Sequence, residues 1–379
     1  MNSLRSFVPK FAFAVVAALG LIGCDPGDGS AERADGLKAL ELRQYKKAES
    51  LLVRACELDR GNVDTLLALA RTRLALGDLD GAKSVVQEAL QLRADSDVKL
   101  TLAEVLYHQR DFAAAAKQFA DVAGNVGEPN VMRARAFTGL GIVEMSANRN
   151  DAARVAFLCA LRLDRKQNPS AFYHLGMLYR DGFDFPEAAI EQLELFARMT
   201  NAPADKVRKT LDVYLPQIRN TIAERAQQTA KASRRDSSAS AAFCEKAEAA
   251  KKKGQFKTAQ LRYRDALNAD PLSAPAALGL AACLARDTTP SGKEKAFAAY
   301  RLACLLSPKS CSTLLEGGRR ALEQNQPLTA VKLYSRAMAV NPTKTDAIDG
   351  LIRAYGRVSG AEAKAAARIY QQYRDFLKR

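Results

Sequence analysis

The side chains of this sequence with the most versatile chemistry are its thiols and imidazoles, and both are sparse. The cysteines stand at positions 24, 56, 159, 244, 283, 304 and 311, and the histidines are His108 and His174. No two cysteines form a Cys-x-x-Cys pair, and neither histidine lies near a cysteine at the spacing of zinc ligands. We therefore expect no metal site.

Motifs of enzyme chemistry are also missing. The sequence has no Gly-rich phosphate loop, no Gly-x-Ser-x-Gly elbow and no His-Glu-x-x-His pair. We expect a protein that is not an enzyme and binds no cofactor. The enzymatic alternative, an enzyme or regulatory subunit acting on cell-wall glycan, requires a pair of carboxylates, for which Glu104 and Asp181 are the candidates.

Cys24 has a distinctive setting. Arg5 and Lys10 precede a nearly unbroken apolar run over residues 11–23. A spanning helix needs about 20 residues, so this run is too short and is typical of a secretory signal peptide. The tetrapeptide Leu-Ile-Gly-Cys at 21–24 then resembles the bacterial lipobox, whose cysteine is lipidated and becomes the first residue of the mature chain.

This resemblance implies a signal peptide over residues 1–23 and a lipidated tether over 24–31. It also implies a lipid-anchored protein of the bacterial cell envelope that faces the periplasm, with the inner and outer membranes both open. The alternative is an ordinary signal peptide with a chance cysteine.

The charge is strongly positive, with 57 Lys and Arg against 42 Asp and Glu. Much of the excess falls between residues 203 and 264, where the run Lys251, Lys252 and Lys253 forms a basic patch. Such a patch suits an anionic lipid surface, or is simply a solvated face. Nucleic acid fits the charge but not an exported protein, so we expect no nucleic-acid partner.

A repeat positions these groups. The stretch KGQFKTAQLRYRDALNADP, ending at Pro271, returns as EQNQPLTAVKLYSRAMAVNP, ending at Pro342. Each has an alanine, an aromatic residue four positions later, a second alanine and a final proline. The pattern places alanines at Ala48, Ala82, Ala115, Ala153, Ala189, Ala259, Ala296, Ala330 and Ala366, spaced by 33 to 38 residues apart from one gap of 70.

About twelve residues before each alanine lies another small residue, and four after it lies a larger one. Two helices pack closely only where one presents Gly or Ala, and a larger neighbour fills the remaining hole. The small residues are Gly36, Ala70, Ala103, Gly141, Gly176, Ala247, Gly279, Gly318 and Gly350. The fillers are Leu52, Val86, Phe119, Phe157, Leu193, Tyr263, Tyr300, Tyr334 and Tyr370.

This pattern resembles the tetratricopeptide repeat family. The resemblance implies an all-α fold, a right-handed α-solenoid of stacked helix-turn-helix repeats with a concave groove. We expect about five repeats over residues 32–200 and about four over 241–379. Between them, residues 201–240 are expected to form a degenerate helical hairpin broken at Pro216 and a flexible linker. Longer turns are expected after Gly279 and Gly350.

In this family the groove is lined by first-helix residues three positions before and one, four and five positions after the small residue. The candidates at these positions are Leu67, Arg71, Leu74, Leu100, Glu104, Tyr107, His108, Ile142, Met145, Tyr173, Met177 and Arg180. We expect an exposed, mostly apolar stripe that binds a segment of a protein partner. The alternative is that the protein's own curvature or its N-terminal tether fills this stripe.

The combined expectation is a membrane-anchored scaffold or adaptor that helps to assemble an envelope complex for pilus formation or secretion, outer-membrane assembly or polysaccharide export. A purely structural scaffold at the membrane surface is a further alternative. The remaining cysteines are either buried thiols or include a disulfide between Cys304 and Cys311, which flank one turn.

Overall fold

The structure is a computed structural model that describes residues 28–230 and 235–378. Within these ranges the regular structure is helical, and no strand occurs. The predicted signal peptide and the lipidated Cys24 lie outside the described residues. The first ten helices are α1 (Ser30–Glu41), α2 (Tyr45–Leu58), α3 (Val63–Leu76), α4 (Leu79–Leu92), α5 (Ser96–His108), α6 (Phe112–Gly124), α7 (Asn130–Ser146), α8 (Asn150–Leu163), α9 (Pro169–Asp181) and α10 (Pro186–Ala197).

The helices that follow begin with α11 (Ala204–Lys209), a π-helical turn (Thr210–Tyr214) and α12 (Leu215–Ala230). The C-terminal helices are α13 (Ser237–Lys252), α14 (Phe256–Ala269), α15 (Ala274–Leu284), α16 (Pro290–Leu306), α17 (Cys311–Glu323), α18 (Pro327–Val340), α19 (Thr345–Tyr355) and α20 (Ala361–Leu377). Outside residues 204–230, the described helices therefore alternate as first and second helices of a repeat, as predicted.

The predicted packing positions form the contacts between helices. Eight of the nine second-helix alanines have no exposed surface, and Ala366 is 7% exposed. A Cβ added to Gly36 would lie 2.8 Å from Leu52, and one added to Gly141 would lie 2.5 Å from the Phe157 ring. In these two repeats the filler thus occupies the space left by the small residue of its own repeat.

The fillers also contact the following repeat, which the sequence pattern does not reveal. A Cβ on Gly350 would lie 2.4 Å from the Tyr334 ring, although Tyr334 belongs to the preceding repeat. A Cβ on Gly318, in the same repeat as Tyr334, would lie 2.8 Å from that ring. One tyrosine therefore holds two successive first helices, so the repeats are linked by the same side chains that close each of them.

Most turns within the repeats use one left-handed residue, and in two of them an aspartate that caps the next helix follows it. Gly77 (φ 86°) ends α3, and the Asp78 carboxylate accepts a hydrogen bond from the Gly81 amide at 2.9 Å. Arg110 (φ 65°) and Asp111 form the equivalent turn between α5 and α6. The left-handed residue ends one helix and the aspartate begins the next, which makes a short, sharp turn.

Longer turns occur where the sequence predicts them. Residues 285–289 join α15 to α16 and residues 356–360 join α19 to α20, whereas α13 and α14 are joined by residues 253–255. Part of the added length goes into the second helix, because α16 has 17 residues and α14 has 14. Thr289 caps α16, and Pro290 occupies the first position of the helix. A backbone N–H at that position has no acceptor within the helix, so the proline loses no hydrogen bond.

The predicted hairpin and linker over residues 201–240 are wrong in two respects. Pro216 does not separate two helices, because the backbone is helical from Ala204 to Ala230. The π-helical turn directly before Pro216 changes the local hydrogen bonding where the proline ring would clash with a preceding carbonyl. The serine-rich stretch from Ser237 onwards is also helical, since Asp236 accepts from the Ala239 amide at 2.8 Å and caps α13.

The described chain divides into two compact units. Unit 1 contains residues up to Leu178 together with Glu194–Arg208, and unit 2 contains Tyr179–Leu193 and the chain from Lys209 onwards. The core of unit 1 includes a cluster from Ala39 to Val143, and that of unit 2 includes a cluster from Ala247 to Tyr300.

Unit 2 includes a segment that the predicted boundary at residue 200 assigns to the N-terminal array. In the structure Glu187 lies 3.7 Å from the Arg336 guanidinium, and Glu191 lies 3.2 Å from the Lys309 ammonium group. The Arg336 guanidinium also stands over the Phe185 ring at 5.5 Å. These contacts hold residues 185–191 against the C-terminal repeats within unit 2, and nothing in the repeat pattern predicts them.

Candidate functional site

The inner face of unit 1 is formed by the first helices of successive repeats. Helices α1, α3, α5 and α7 contact one another in order, in addition to their own second helices. In a stack of helix pairs, the helices that come close across repeats form the shorter, concave side. The predicted groove residues of repeats two to four lie on these helices.

Polar side chains connect the inner helices. Arg71 on α3 donates to the Thr101 hydroxyl at 3.1 Å, and Arg135 on α7 donates to both Asp97 and Glu104 at 3.3 Å. The chain of contacts between α3, α5, α7 and the start of α9 is called here the inner polar ladder, and its members are Arg71, Asp97, Thr101, Glu104, Arg135, Thr138 and Asn168.

The last contact of the ladder joins Asn168 to Thr138. The Asn168 amide donates to the Thr138 hydroxyl at 2.8 Å, while its carbonyl accepts from the Ala171 amide and caps α9. A buried polar group that lacks a partner is costly, so these matched pairs favour one register of each first helix against the next.

Charges in the ladder are matched as well. Glu104 is 9% exposed and lies between two arginines, and burial lowers the pKa of Arg71 while Glu104 raises it. An arginine stays protonated in proteins, so both guanidinium groups remain cations. The ladder therefore positions helices and leaves little uncompensated charge for a partner.

The expectation of an exposed apolar stripe is wrong for half of the predicted groove residues. Six are buried, with relative exposures of 9% or less: Leu67, Leu74, Leu100, Glu104, Ile142 and Tyr173. The physical reason is that each first helix packs against the first helices on both sides. Leucines at those offsets consequently fill the space between helices and belong to the core of unit 1.

The other six predicted residues are only partly buried: Arg71, Tyr107, His108, Met145, Met177 and Arg180. Arg180 belongs to unit 2, where its guanidinium binds the Asp181 carboxylate at 2.6 Å and stands over the Tyr214 ring at 4.6 Å. No observation tests whether any of these residues binds a partner, so that role remains a prediction.

Three of them lie together at the C-terminal ends of α5 and α7. The Tyr107 hydroxyl and the Ser146 hydroxyl are 3.1 Å apart, and the Tyr107 ring meets the His108 ring edge-on at 5.4 Å. Met145 precedes Ser146 and is half-buried. We call Tyr107, His108, Met145 and Ser146 the Tyr107 surface. Burial lowers the pKa of His108, so the ring is neutral at pH 7 and can accept as well as donate a hydrogen bond.

Unit 2 has an inner face of its own that the sequence reasoning missed. On α17, Arg319 and Arg320 each pair with both Glu316 and Glu323. On α13, Glu248 accepts from Lys251 at 2.7 Å and from the Tyr263 hydroxyl. The offsets used for unit 1, applied to Ala247 and Gly318, would have selected Glu248, Lys251, Arg319 and Glu323.

The predicted basic patch is consequently smaller than its sequence suggests. The charge of Lys251 is met by Glu248, whereas Lys252 and Lys253 are exposed at the end of α13.

The cysteines of the described residues are free thiols. The Cys304 thiol donates to the Thr313 carbonyl at 3.4 Å, and the Cys311 thiol donates to the Ala337 carbonyl at 3.8 Å. Burial raises the pKa of Cys304 to about 12, which disfavours the reactive thiolate. The two thiols thus have separate partners and are not joined by a disulfide.

Between residues 28 and 230 and between 235 and 378, no three His, Cys, Asp or Glu side chains are grouped as metal ligands. In those ranges no helix combines the length and apolarity needed to cross a membrane.

Comparison with known families identifies the repeats. Two segments, residues 39–99 and 244–310, match family models of the tetratricopeptide repeat. These segments are tetratricopeptide repeats. Together with the alternating helices, they make the chain an all-α solenoid of helical repeats, a type of scaffold that is suited to binding proteins.

Several known proteins are similar to parts of the chain. The BBSome complex member BBS4 of Xenopus tropicalis is 35% identical over 88 residues, and the match spans 23% of this chain and 17% of that protein. A structure of Pseudomonas aeruginosa pilF is 19% identical, covers 69% of this chain and 98% of its own, and superposes with a TM-score of 0.39.

A second solved structure is the tetratricopeptide repeat protein TTC0263 of Thermus thermophilus. It is 18% identical, covers 49% of this chain and 99% of its own, and has a TM-score of 0.44.

Proposed function

We propose that this protein is a scaffold of the bacterial cell envelope, anchored through a lipidated Cys24, which binds a segment of a partner protein on the inner face of unit 1. Its task would be to assemble an envelope complex, such as one for pilus formation or secretion, outer-membrane assembly or polysaccharide export. The tetratricopeptide repeats support the scaffold, and the sequence around Cys24 supports the anchor.

The observation that carries the binding proposal is the Tyr107 surface. It combines an aromatic ring, a thioether and three polar groups at one end of the inner face. Tyrosine provides a large contact area and loses little conformational freedom on binding. Methionine also provides a large contact area, and its flexible side chain adapts readily to a partner. The charged groups of the inner polar ladder already pair with one another. We therefore expect a partner segment that supplies apolar side chains and neutral hydrogen-bonding groups.

The geometry gives the glycan-enzyme alternative little support. Its two candidate carboxylates already accept hydrogen bonds from arginine, Glu104 from Arg135 and Asp181 from Arg180. Each carboxylate is thus already the partner of an arginine, and Glu104 is also buried.

The binding proposal can be tested by capture of partners in cells. Full-length protein carrying a photo-crosslinking residue at Tyr107 should form a covalent adduct with a specific protein. The double variant Tyr107→Glu with Met145→Glu should lose that partner, with unchanged helicity and melting temperature. The control variant Ser84→Glu with Gln87→Glu adds the same charge to exposed positions of α4 and should retain it. Equal capture by both variants would contradict binding at this surface.

The anchor is tested separately. Cells fed a clickable fatty acid should label the wild-type protein, and Cys24→Ser should abolish the label and release the protein from the membrane fraction. Absence of label from the wild-type protein would refute the lipid anchor without affecting the binding proposal.

A further inference from the structure

The second helices α14 and α16 present an outward face of unusual composition. Ala259 and Ala296 are the packing residues of these helices and have no exposed surface. At 100° per residue, positions two before and two, five and nine after such an alanine point away from the packed side. The residues there that carry charge or a large apolar side chain are called the outer basic face: Lys257, Leu261, Arg264, Glu294, Arg301 and Leu305.

The charge of these two helices differs from that of equivalent helices in unit 1. Helices α14 and α16 together contain six basic and two acidic residues. Helices α2, α4 and α6 contain five of each. Three of the six basic residues, Lys257, Arg264 and Arg301, lie on the outer basic face, which contains one acidic residue, Glu294.

The basic side chains of this face are not used for internal ion pairs. Among residues 28–230 and 235–378, no carboxylate lies within 4.0 Å of Lys257, Arg264 or Arg301. Arg301 is exposed, and its guanidinium stands over the neighbouring Phe297 ring at 5.9 Å. The inner polar ladder shows the opposite arrangement, with its arginines bound to acceptors.

Two large leucines lie among these cations. Leu261 is 58% exposed in the middle of α14, and Leu305 is 69% exposed near the end of α16. A leucine at the end of a helix is often exposed, but one in the middle of an amphipathic helix normally faces the core. Together with the three cations, the two leucines give these helices both charged and apolar contact groups.

The chemistry of this face selects its occupant. A second copy of the same face would bring unpaired cations together, and like charges repel. Cations with interspersed leucines are the combination by which interfacial helices bind anionic membranes, since the cations meet the headgroups and the leucines enter the acyl boundary.

We infer that the outer basic face of α14 and α16 lies on the surface of an anionic lipid bilayer. This inference goes beyond the proposed function, because it requires neither the partner segment nor a lipid on Cys24. It gives the protein a second attachment to the membrane that fixes which side of unit 2 faces the lipid.

Vesicle binding tests the inference. The chain from residue 25 onwards, which includes every described residue, would be sedimented with phosphatidylcholine vesicles and with vesicles containing about one third phosphatidylglycerol. We expect binding to the anionic vesicles that is at least about tenfold tighter and that weakens as salt is added. Absence of this preference would overturn the inference.

A charge-reversal pair locates the site. Arg264→Glu with Arg301→Glu should weaken binding to anionic vesicles at least about tenfold. The control Lys46→Glu with Lys117→Glu makes the same charge change at outward positions of α2 and α6, and it should alter binding less than about twofold. Equal losses from both variants would mean that net charge, and not this face, determines binding.

The leucines distinguish lipid from an acidic protein. Leu261→Ser with Leu305→Ser should weaken vesicle binding at least about threefold, because less apolar area enters the bilayer. In Leu261→Trp the indole emission should shift to shorter wavelength on anionic vesicles. Unchanged binding by the serine variant, together with an unshifted emission, would indicate a polyanion of another class and would refute the lipid assignment.

Discussion

Protonation of His174 should destabilise unit 1 in mild acid. This residue lies on α9, is 3% exposed, and stacks on the Phe157 ring at 6.0 Å. The Tyr173 ring meets it edge-on at 5.2 Å. Its Nε2 atom has no hydrogen-bond partner among the described residues. Burial lowers the pKa of His174 from 6.5 to about 3, with a smaller contribution from nearby Lys206.

The direction of the effect follows from linkage between protonation and folding. The folded protein keeps this imidazole neutral, whereas the unfolded chain takes up a proton below about pH 6.5. The stabilising contribution is therefore complete above that pH and is lost as the pH falls through it. Between pH 7.5 and pH 5 the loss is about 2 kcal/mol, since a titrating unfolded group costs about 1.4 kcal/mol for each pH unit below its pKa.

Urea unfolding followed by circular dichroism at both pH values would measure this loss. The comparison is His174→Phe, which keeps an aromatic ring of similar size and removes the titration. Changes caused by carboxylates are common to both proteins, so the difference between their losses isolates His174. If the two proteins lose the same free energy of unfolding between pH 7.5 and pH 5, the imidazole is not buried as described and the reasoning is refuted.

Three further outcomes are expected. Arg135→Ala should lower the free energy of unfolding by about 1 to 3 kcal/mol, because the buried Glu104 carboxylate loses its partner. Arg93→Ala, at an exposed ion pair, should lower it by less than about 1 kcal/mol. Urea titrations of the two variants would show this order, and equal losses would contradict it. Gly350→Ala places a Cβ 2.4 Å from an aromatic ring and should lower the free energy of unfolding by about 1 to 3 kcal/mol. In Gly124→Ala the added Cβ meets no atom within 4 Å, so this variant should be as stable as the wild type or more stable. Similar melting temperatures of the two variants would argue against the packing role of Gly350. Iodoacetamide should leave Cys159 unmodified in the folded protein, since burial raises the pKa of its thiol, and rapid labelling in native mass spectra would show that the residue is accessible.

The repeat fold could be predicted in detail because its packing depends on residues at fixed spacing. Ala259 and Tyr263, for example, are 0% and 1% exposed, as their positions in the repeat indicate. The contact of Tyr334 with Gly350 in the next repeat could not be predicted, because the sequence pattern describes a single repeat and not the rotation between neighbours.

The groove was predicted less well, for a related reason. Fixed offsets identify which residues lie on the inner side of a first helix, but not how closely that helix approaches the next one. Leu100 therefore fits the offset rule and yet has no exposed surface. The ion pairs of Arg135 connect residues 31 and 38 positions apart, and they depend on that same spacing between helices.

The segment around Pro216 shows a different limit. Considered from local sequence alone, a proline predicts a break in a helix. Here the helical backbone continues through Pro216, and a π-helical turn of five residues, Thr210–Tyr214, precedes the proline. The attachment of Glu187 to Arg336 is a contact across 149 positions, which no local pattern could reveal.

The two proposed surfaces should respond differently to salt. On the inner face the arginines of the polar ladder already bind carboxylates or a hydroxyl, so a partner segment gains little from its own charge. On the outer basic face Lys257, Arg264 and Arg301 have no such partners among the described residues, and attraction to anionic lipid is screened within about 10 Å at moderate ionic strength. Raising the salt from about 0.1 M to 0.5 M should therefore release the protein from anionic vesicles while a partner bound at Tyr107 is retained. Release of both together would show that charge also governs the inner face, and the matched pairs of the ladder would then not describe how this protein binds its partner.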